Sequence, residues 1–178
     1  RVFMTVDPAI SKKDTACDSA NVVCRITRNF DIYVLDYVAK KLNPGELIDC
    51  IWDMCQIWTP EIVGIESIAY QQALVHFLTE KMDREKKWLN IVELISRQDK
   101  HVKIRRLIPF YRNGKVYHKV EHAKLGEQLC SFPGGKLVDL IDALAMQLDI
   151  MYKPEEVVDQ VLINPYANDP SADWGNKN

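Results

Sequence analysis

The stretch NVVCRITRNFDIYVLDYVA, residues 21–39, is typical of a β-hairpin. Its two halves, 21–28 and 31–39, are rich in β-branched and aromatic residues, which favour strands, and only two residues separate them. The apolar run RVFMTV, which ends at Asp7, is a further candidate strand. Three strands in succession predict an antiparallel meander at the start of a sheet.

After the hairpin, the chain alternates between helical and strand patterns. The predicted elements are, in order, a helix over 44–58, a strand over 61–67, a helix over 69–87, a strand over 88–95, and helices over 122–132 and 139–152. Strand–helix–strand steps imply parallel crossovers. The sequence therefore predicts an α/β fold with a mixed central sheet of three antiparallel strands and then parallel strands, flanked by helices on both faces.

The chain length of 178 residues suits one domain with a substantial core, which we place at residues 1–152. Residues 153–178 are polar, and we expect a loosely ordered tail there. The sequence contains no run of about 18 apolar residues, so it predicts no membrane span. The five cysteines show no zinc-ligand spacing. The chain begins with a strand rather than with Met, so we expect a fragment of a longer protein.

Charge is distributed unevenly along the chain. The net charge of −2 argues against a protein that coats nucleic acid through its overall charge. Residues 100–124, however, contain eight Lys or Arg residues and a single acid, Glu121. Such a basic segment fits a partner with a phosphate backbone, and a solvated charged face is the other interpretation.

Two aspartates, Asp139 and Asp142, interrupt the apolar pattern of the last helix. Residues three apart lie on one helical face, so both carboxylates point the same way. Two like charges side by side cost energy unless a cation lies beside them. A water-facing stripe is the alternative interpretation, because Asp149 lies near the same stripe.

Two further acids end predicted strands: Asp7 closes the first strand and Glu66 closes the fourth. If these strands are parallel neighbours, both acids lie at the carboxyl edge of the sheet, where open α/β sheets bind ligands. The last helix would bring its two aspartates to the same edge. Four converging carboxylates require cations, and two Mg²⁺ or Mn²⁺ ions can hydrolyse a phosphodiester. Taken singly, each of these acids also has a structural interpretation. Asp7 would cap a turn, and Glu66 would interact favourably with the dipole of the helix that follows it.

Three short motifs carry these acids in order: VDPA at 6–9, IVGIES at 62–67 and DLIDALA at 139–145. The ordered set resembles the acidic motifs of ribonuclease-H-like nucleases, and more narrowly the nuclease domain of the large terminase subunit of tailed bacteriophages. The loop SKKDTACDS and the basic stretch at 100–117 are similar to that family as well. The resemblance covers residues 2–151 and implies a ribonuclease-H-like fold for the mixed sheet.

The resemblance implies a metal-binding catalytic triad of Asp7, Glu66 and Asp139. Asp142 would be a fourth catalytic ligand or a support. Many relatives carry His-Asp-Asp where Leu137-Val138-Asp139 stands here, which leaves the ligands of a second metal open. Candidate contacts to the DNA backbone are Lys100, Lys103, Arg105 and Arg106. Either lysine would alternatively lie beside the metals and stabilise charge in the transition state.

The implied activity is a two-metal-ion endonuclease that cuts double-stranded viral DNA concatemers during genome packaging, with little sequence specificity. Its implied partners are a portal and a small terminase subunit, and its implied location is the cytoplasm of an infected bacterium. No GxxxxGK[ST] motif occurs, so the family's N-terminal ATPase domain is expected on a missing part of the chain. Two other hypotheses stay open, a RuvC-type junction resolvase and a non-catalytic docking module of the packaging motor.

Overall fold

The computed structural model describes residues 1–8, 18–66, 71–95 and 98–152. Its strands are β1 (Val2–Asp7), β2 (Ser19–Ile26), β3 (Ile32–Lys40), β4 (Ile62–Glu66), β5 (Ile91–Leu94) and β6 (Val116–Tyr117). Its helices are α1 (Pro44–Trp58), α2 (Gln71–Glu85), α3 (Lys100–Arg105), α4 (Ile108–Arg112), α5 (Ala123–Ser131) and α6 (Asp139–Ile150). The predicted tail at 153–178 and most of the SKKDTACDS loop lie outside the described residues.

The strands form one sheet in the order β5-β4-β1-β2-β3-β6. Strands β1, β2 and β3 pair antiparallel, whereas β1–β4, β4–β5 and β3–β6 are parallel pairs. The predicted mixed sheet is therefore confirmed. The β1–β4 register runs from Phe3 beside Ile62 to Val6 beside Ile65, so both strands end at the same edge.

The sheet separates two apolar cores, because side chains alternate across a strand. On one face, Phe3 and Val22 pack in a cluster with α6, whose Leu140, Ile141 and Leu144 are buried. The opposite face packs against α1 and α2 through a set of buried side chains that includes Met4, Val6, Ile51 and Leu74. Helices therefore cover both faces, as the sequence pattern predicts, and α6 lies directly against the central strands.

The basic segment differs most from its prediction. The sequence pattern predicts no helix there, yet the segment forms α3, α4 and the short strand β6. Asp99 begins α3, since its carboxylate accepts hydrogen bonds from the backbone N–H groups of His101 and Val102 at 2.9 and 3.4 Å. These bonds satisfy donors that have no partner within the helix, which stabilises so short an element.

Other boundaries differ by a few residues. Helix α1 occupies the predicted range, whereas β5 begins at Ile91 rather than at residue 88, and Trp88 is exposed. Helix α6 ends at Ile150, two residues before the predicted end. Among the described residues, no helix has the length and apolar character to cross a membrane.

Candidate active site

The carboxyl edge of the two central parallel strands carries the first pair of predicted site acids. Asp7 is the last residue of β1 and Glu66 is the last residue of β4. Because Val6 lies beside Ile65 in the parallel ladder, the next residue of each strand is brought to the same edge. The structure thus places these two acids together, as expected from their positions at strand ends.

Helix α6 supplies the second pair of acids from its first turn. Asp139 and Asp142 lie three residues apart on the side that faces the sheet, and both are buried, with Asp142 only 2% exposed. The interpretation of this pair as a water-facing stripe is therefore wrong for these two residues. The stripe is instead packed against the strands because the neighbouring Leu140, Ile141 and Ala143 belong to the core.

Three of the four acids form a compact oxygen cluster. One carboxylate oxygen each from Asp7, Glu66 and Asp142 lies within 4.8 Å of the other two. Asp139 is not part of this trio, but the Lys100 ammonium forms ion pairs both with Asp139 and with two members of the trio. The set brought together by the structure therefore contains Asp142 as a full member, whereas the resemblance places Asp139 in the triad. The metal-binding roles of all four acids stay a prediction.

Two lysines of α3 lie among these carboxylates. The Lys100 ammonium lies 2.9 Å from Asp139, 3.3 Å from Asp142 and 3.4 Å from Asp7. The Lys103 ammonium lies 2.8 Å from Glu66 and 2.9 Å from Asp142. Unmatched carboxylates at this spacing would repel one another, so the two ammonium groups supply the positive charge that the cluster requires.

The placement of these lysines bears on their predicted contacts to DNA phosphates. The Lys103 side chain is only 5% exposed and that of Lys100 is 37% exposed, and both ammonium groups point at acids. The arrangement puts the two lysines beside the acids that are expected to bind metal, and both roles expected of the lysines stay predictions. A signal for it is present in the sequence, because residues 100 and 103 share one face of a helix once Asp99 is taken as its start.

The two predicted arginines lie farther from the cluster. Arg105 is exposed on α3. Arg106 makes a 2.7 Å ion pair with Asp149 and lines a pocket of about 220 Å³ that also borders Glu66 and Lys103. Arg105 is thus exposed and Arg106 partly exposed, and their contact with DNA stays a prediction.

Burial and mutual repulsion change the acid–base properties of the cluster. Burial, together with the charges of Glu66 and Asp142, raises the pKa of Asp7 to about 7, although Lys100 opposes this. Burial also raises the pKa of Asp142, against the effect of the two lysines. Burial would lower the pKa of Lys100 and of Lys103, but the surrounding carboxylates outweigh it and raise both values. Both lysines are therefore fully charged.

The cluster has the composition of a site for a hard divalent cation. Its three close ligand groups are carboxylates, which are the oxygen donors that Mg²⁺ and Mn²⁺ prefer. Oδ1 of Asp142 is shielded from solvent and accepts no well-oriented hydrogen bond, although the Lys103 ammonium lies 2.9 Å away. The donor set therefore fits a hard divalent cation, which would replace the Lys103 ammonium as the partner of this oxygen.

Comparison with known proteins gives structural matches only. No protein-family model matches the sequence, and no curated protein matches it. The crystal structure of the fowlpox virus Holliday junction resolvase is similar, with a TM-score of 0.55 at 11% identity over 84% of this chain and 96% of that chain. The same resolvase in complex with its substrate Holliday junction DNA gives a TM-score of 0.52 at 11% identity, over 84% of this chain and 97% of the other.

A third match is RuvC from Thermus thermophilus in complex with Holliday junction substrate, with a TM-score of 0.49 at 14% identity over 83% of this chain and 91% of that one. At 11% identity, the likeness to the two fowlpox resolvase structures shows the fold alone. The order and directions of the strands agree with it, so the predicted ribonuclease-H-like fold is confirmed. The narrower resemblance to the terminase nuclease domain stays a prediction.

Proposed function

We propose that this protein is a divalent-metal-dependent DNA endonuclease. One observation carries the proposal: Asp7, Glu66 and Asp142, far apart in sequence, bring carboxylate oxygens within 4.8 Å of one another at the carboxyl edge of the sheet. Two lysines neutralise part of the charge, but folding alone does not require three acids to converge, two of them buried, since each like charge raises the cost of the next. Cation binding explains it directly.

The residues of the cluster would divide the work of phosphodiester hydrolysis. Asp7, Glu66 and Asp142 would hold the cation, which when bound supplies a Lewis acid to the phosphate and lowers the pKa of water. Asp139 keeps the Lys100 ammonium at the cluster through the 2.9 Å contact. With its side chain partly exposed, Lys100 is the group best placed to meet negative charge on the substrate.

Residues beside the cluster would hold the DNA backbone. Arg105 is exposed on the same helix as the two lysines, and Arg106 borders the pocket that adjoins Glu66. Contacts of this kind orient DNA through its phosphates without reading base sequence. We therefore expect weak sequence specificity, as the terminase resemblance also implies.

Branched DNA is one candidate substrate. It is supported by the structural matches, which are described as Holliday junction resolvases and cover nearly the whole length of the fowlpox enzyme. These matches favour the resolvase alternative over the terminase interpretation. A resolvase would introduce paired nicks at symmetric positions in a four-way junction.

Long duplex DNA is the second candidate substrate. It is supported by the ordered motifs around Asp7, Glu66 and Asp139, which resemble those of the terminase nuclease domain. A nuclease of this kind would cut both strands of linear or plasmid duplex without preferring a junction. A portal, a small terminase subunit and an ATPase domain would be its partners only in this case.

A cleavage assay on three substrates tests the proposal and separates the candidates. Supercoiled plasmid, linear duplex and a four-way junction of the same arm sequence are incubated with Mg²⁺, Mn²⁺ or EDTA. We expect metal-dependent cutting by the wild type that is lost in Asp7→Asn and Asp142→Asn and retained in Asp53→Asn, an exposed aspartate on α1. A folded wild type that cuts none of the substrates with either metal would overturn the proposal in favour of a docking module.

A further inference from the structure

The first turn of α6 carries two acids of the candidate site but has no capping side chain of its own. Val138, which precedes Asp139, offers no side-chain acceptor to the helix start. The first backbone N–H groups of a helix lack partners within the helix, and an uncapped start frays. Fraying here would move Asp139 and Asp142 relative to the strand acids.

The missing cap comes from another helix. Oε1 of Gln128, on α5, accepts hydrogen bonds from the backbone N–H of Leu140 at 3.0 Å and of Ile141 at 3.3 Å. These are the second and third residues of α6, the positions that a capping side chain normally serves. Gln128 is itself buried, and these two hydrogen bonds satisfy its side-chain amide oxygen.

Helix α5 is anchored to the core and to the sheet, so the position of Gln128 is fixed when it binds α6. Leu125 is fully buried in the core, and the Lys124 ammonium donates to the backbone carbonyl of Ala39 at 2.8 Å and pairs with Asp18. The loop after α5 is tied back to it, because the N–H of Gly135 donates to the carbonyl of Ser131 at 2.8 Å.

We infer that Gln128 is a positioning residue, which holds the first turn of α6 so that Asp142 and Asp139 face Asp7 and Glu66. The inference rests on the proposed metal-dependent function. Side chains that orient ligands through a second layer of hydrogen bonds typically change metal affinity by about 10–100-fold when removed. Gln128 would act through the backbone of α6, without touching metal or substrate.

The test compares two buried glutamines: Gln128, which caps the start of α6, and Gln147, which belongs to α6 and binds the sheet. Gln128→Met keeps the length of the side chain and removes the acceptor, whereas Gln147→Met removes a buried amide from the later part of α6. We expect Gln128→Met to weaken Mn²⁺ binding, measured by isothermal titration calorimetry, by about tenfold or more. Amide hydrogen exchange at Leu140 and Ile141 should become faster in the same variant. Gln147→Met should lower thermal stability and leave Mn²⁺ affinity near that of the wild type.

A second variant separates positioning from general damage. Gln128→Glu keeps an acceptor oxygen at the same distance, so its Mn²⁺ affinity and amide protection should stay close to wild type. Equal Mn²⁺ affinities in wild type and Gln128→Met overturn the inference, as do equal losses in Gln128→Met and Gln147→Met. If Gln128→Met does not fold, a loss of affinity in Gln128→Glu overturns it instead. A wild type that binds no Mn²⁺ and cuts no DNA overturns the proposed function itself.

Discussion

Helix α6 buries two polar clusters, and they are built on opposite principles. At its start, Asp139 and Asp142 meet other acids and two lysine ammonium groups. Two turns later, the Gln147 amide donates to the Thr5 hydroxyl at 3.1 Å and to the Val22 carbonyl at 2.8 Å, and the Thr5 hydroxyl donates to the Ala143 carbonyl at 2.7 Å.

In the second cluster, neutral donors of Gln147 and Thr5 are matched to neutral acceptors, which is the ordinary way to bury polar groups, although Oε1 of Gln147 accepts no hydrogen bond from the described residues. The first contains like charges that are held together only by cations, at a cost in desolvation. A chain that needs only to fold has no reason to build the first kind beside the second. We interpret this difference as a functional role for the start of α6, in line with the proposed function, and a structural role for its later part.

The largest expected effect is on cleavage by Asp142→Asn. The substitution removes one of the three close carboxylates while keeping its size, so DNA cutting should fall on the order of 100-fold or more. The melting temperature without metal should change little, since the buried charge of Asp142 is itself costly. Calorimetry and the plasmid assay measure the two quantities. Unchanged cutting together with a much lower melting temperature would mean that Asp142 stabilises the fold and does not take part in cutting.

Lys103→Met should show that the acidic cluster depends on its cations. Removing a 5%-exposed ammonium leaves Glu66 and Asp142 without their shared partner, which should destabilise the metal-free protein by about 3 kcal/mol. Mn²⁺ should restore more of this stability than it adds to the wild type, because the ion takes over the neutralising charge. Denaturant unfolding with EDTA and with Mn²⁺ tests this, and the same loss in both conditions would contradict it.

Gln147→Met should lower stability and leave DNA cutting unchanged, which is the opposite of the effects expected for Asp142→Asn. It removes two neutral hydrogen bonds from the core and should cost about 1–2 kcal/mol of unfolding free energy. Metal-dependent cutting, measured well below the melting temperature, should remain near the wild-type rate. A loss of cutting as large as that of Asp142→Asn would remove the distinction between the two clusters.

The smallest effect is expected outside both clusters, at Arg105. Arg105→Gln removes an exposed charge on α3, the helix that carries the two cluster lysines. If the side chain contacts a phosphate, DNA affinity should fall on all sequences alike, and the slope of log affinity against log salt should decrease by about 1. Fluorescence anisotropy at several salt concentrations measures this. An unchanged slope would indicate that the DNA runs along another face.

Much of the fold could be predicted because local patterns and chain order agree. The run of strands from β1 to β3 predicts a meander, and the alternation that follows predicts parallel crossovers, which together define the observed sheet. Strand β6 could not be predicted, since its two residues are too short for a periodic signal and are held by pairing with β3.

The candidate site could be predicted in part for a similar reason. Asp7 and Glu66 occupy strand ends, where topology alone brings them together, and Asp142 follows from helical spacing. The spacing of Lys100 and Lys103 indicates a shared helical face, but the direction of that face does not follow from the sequence, because it depends on how α3 packs against α6 after Asp99 starts the helix. The cap from Gln128 depends equally on tertiary packing between two helices.

Anomalous diffraction from crystals soaked in Mn²⁺ addresses the cation-binding cluster itself. We predict a peak bounded by the carboxylates of Asp7, Glu66 and Asp142, with the Lys103 ammonium displaced from its position between Glu66 and Asp142. A fully soaked crystal with both lysines still paired to the acids, and no peak among the three carboxylates, would contradict the metal-dependent function.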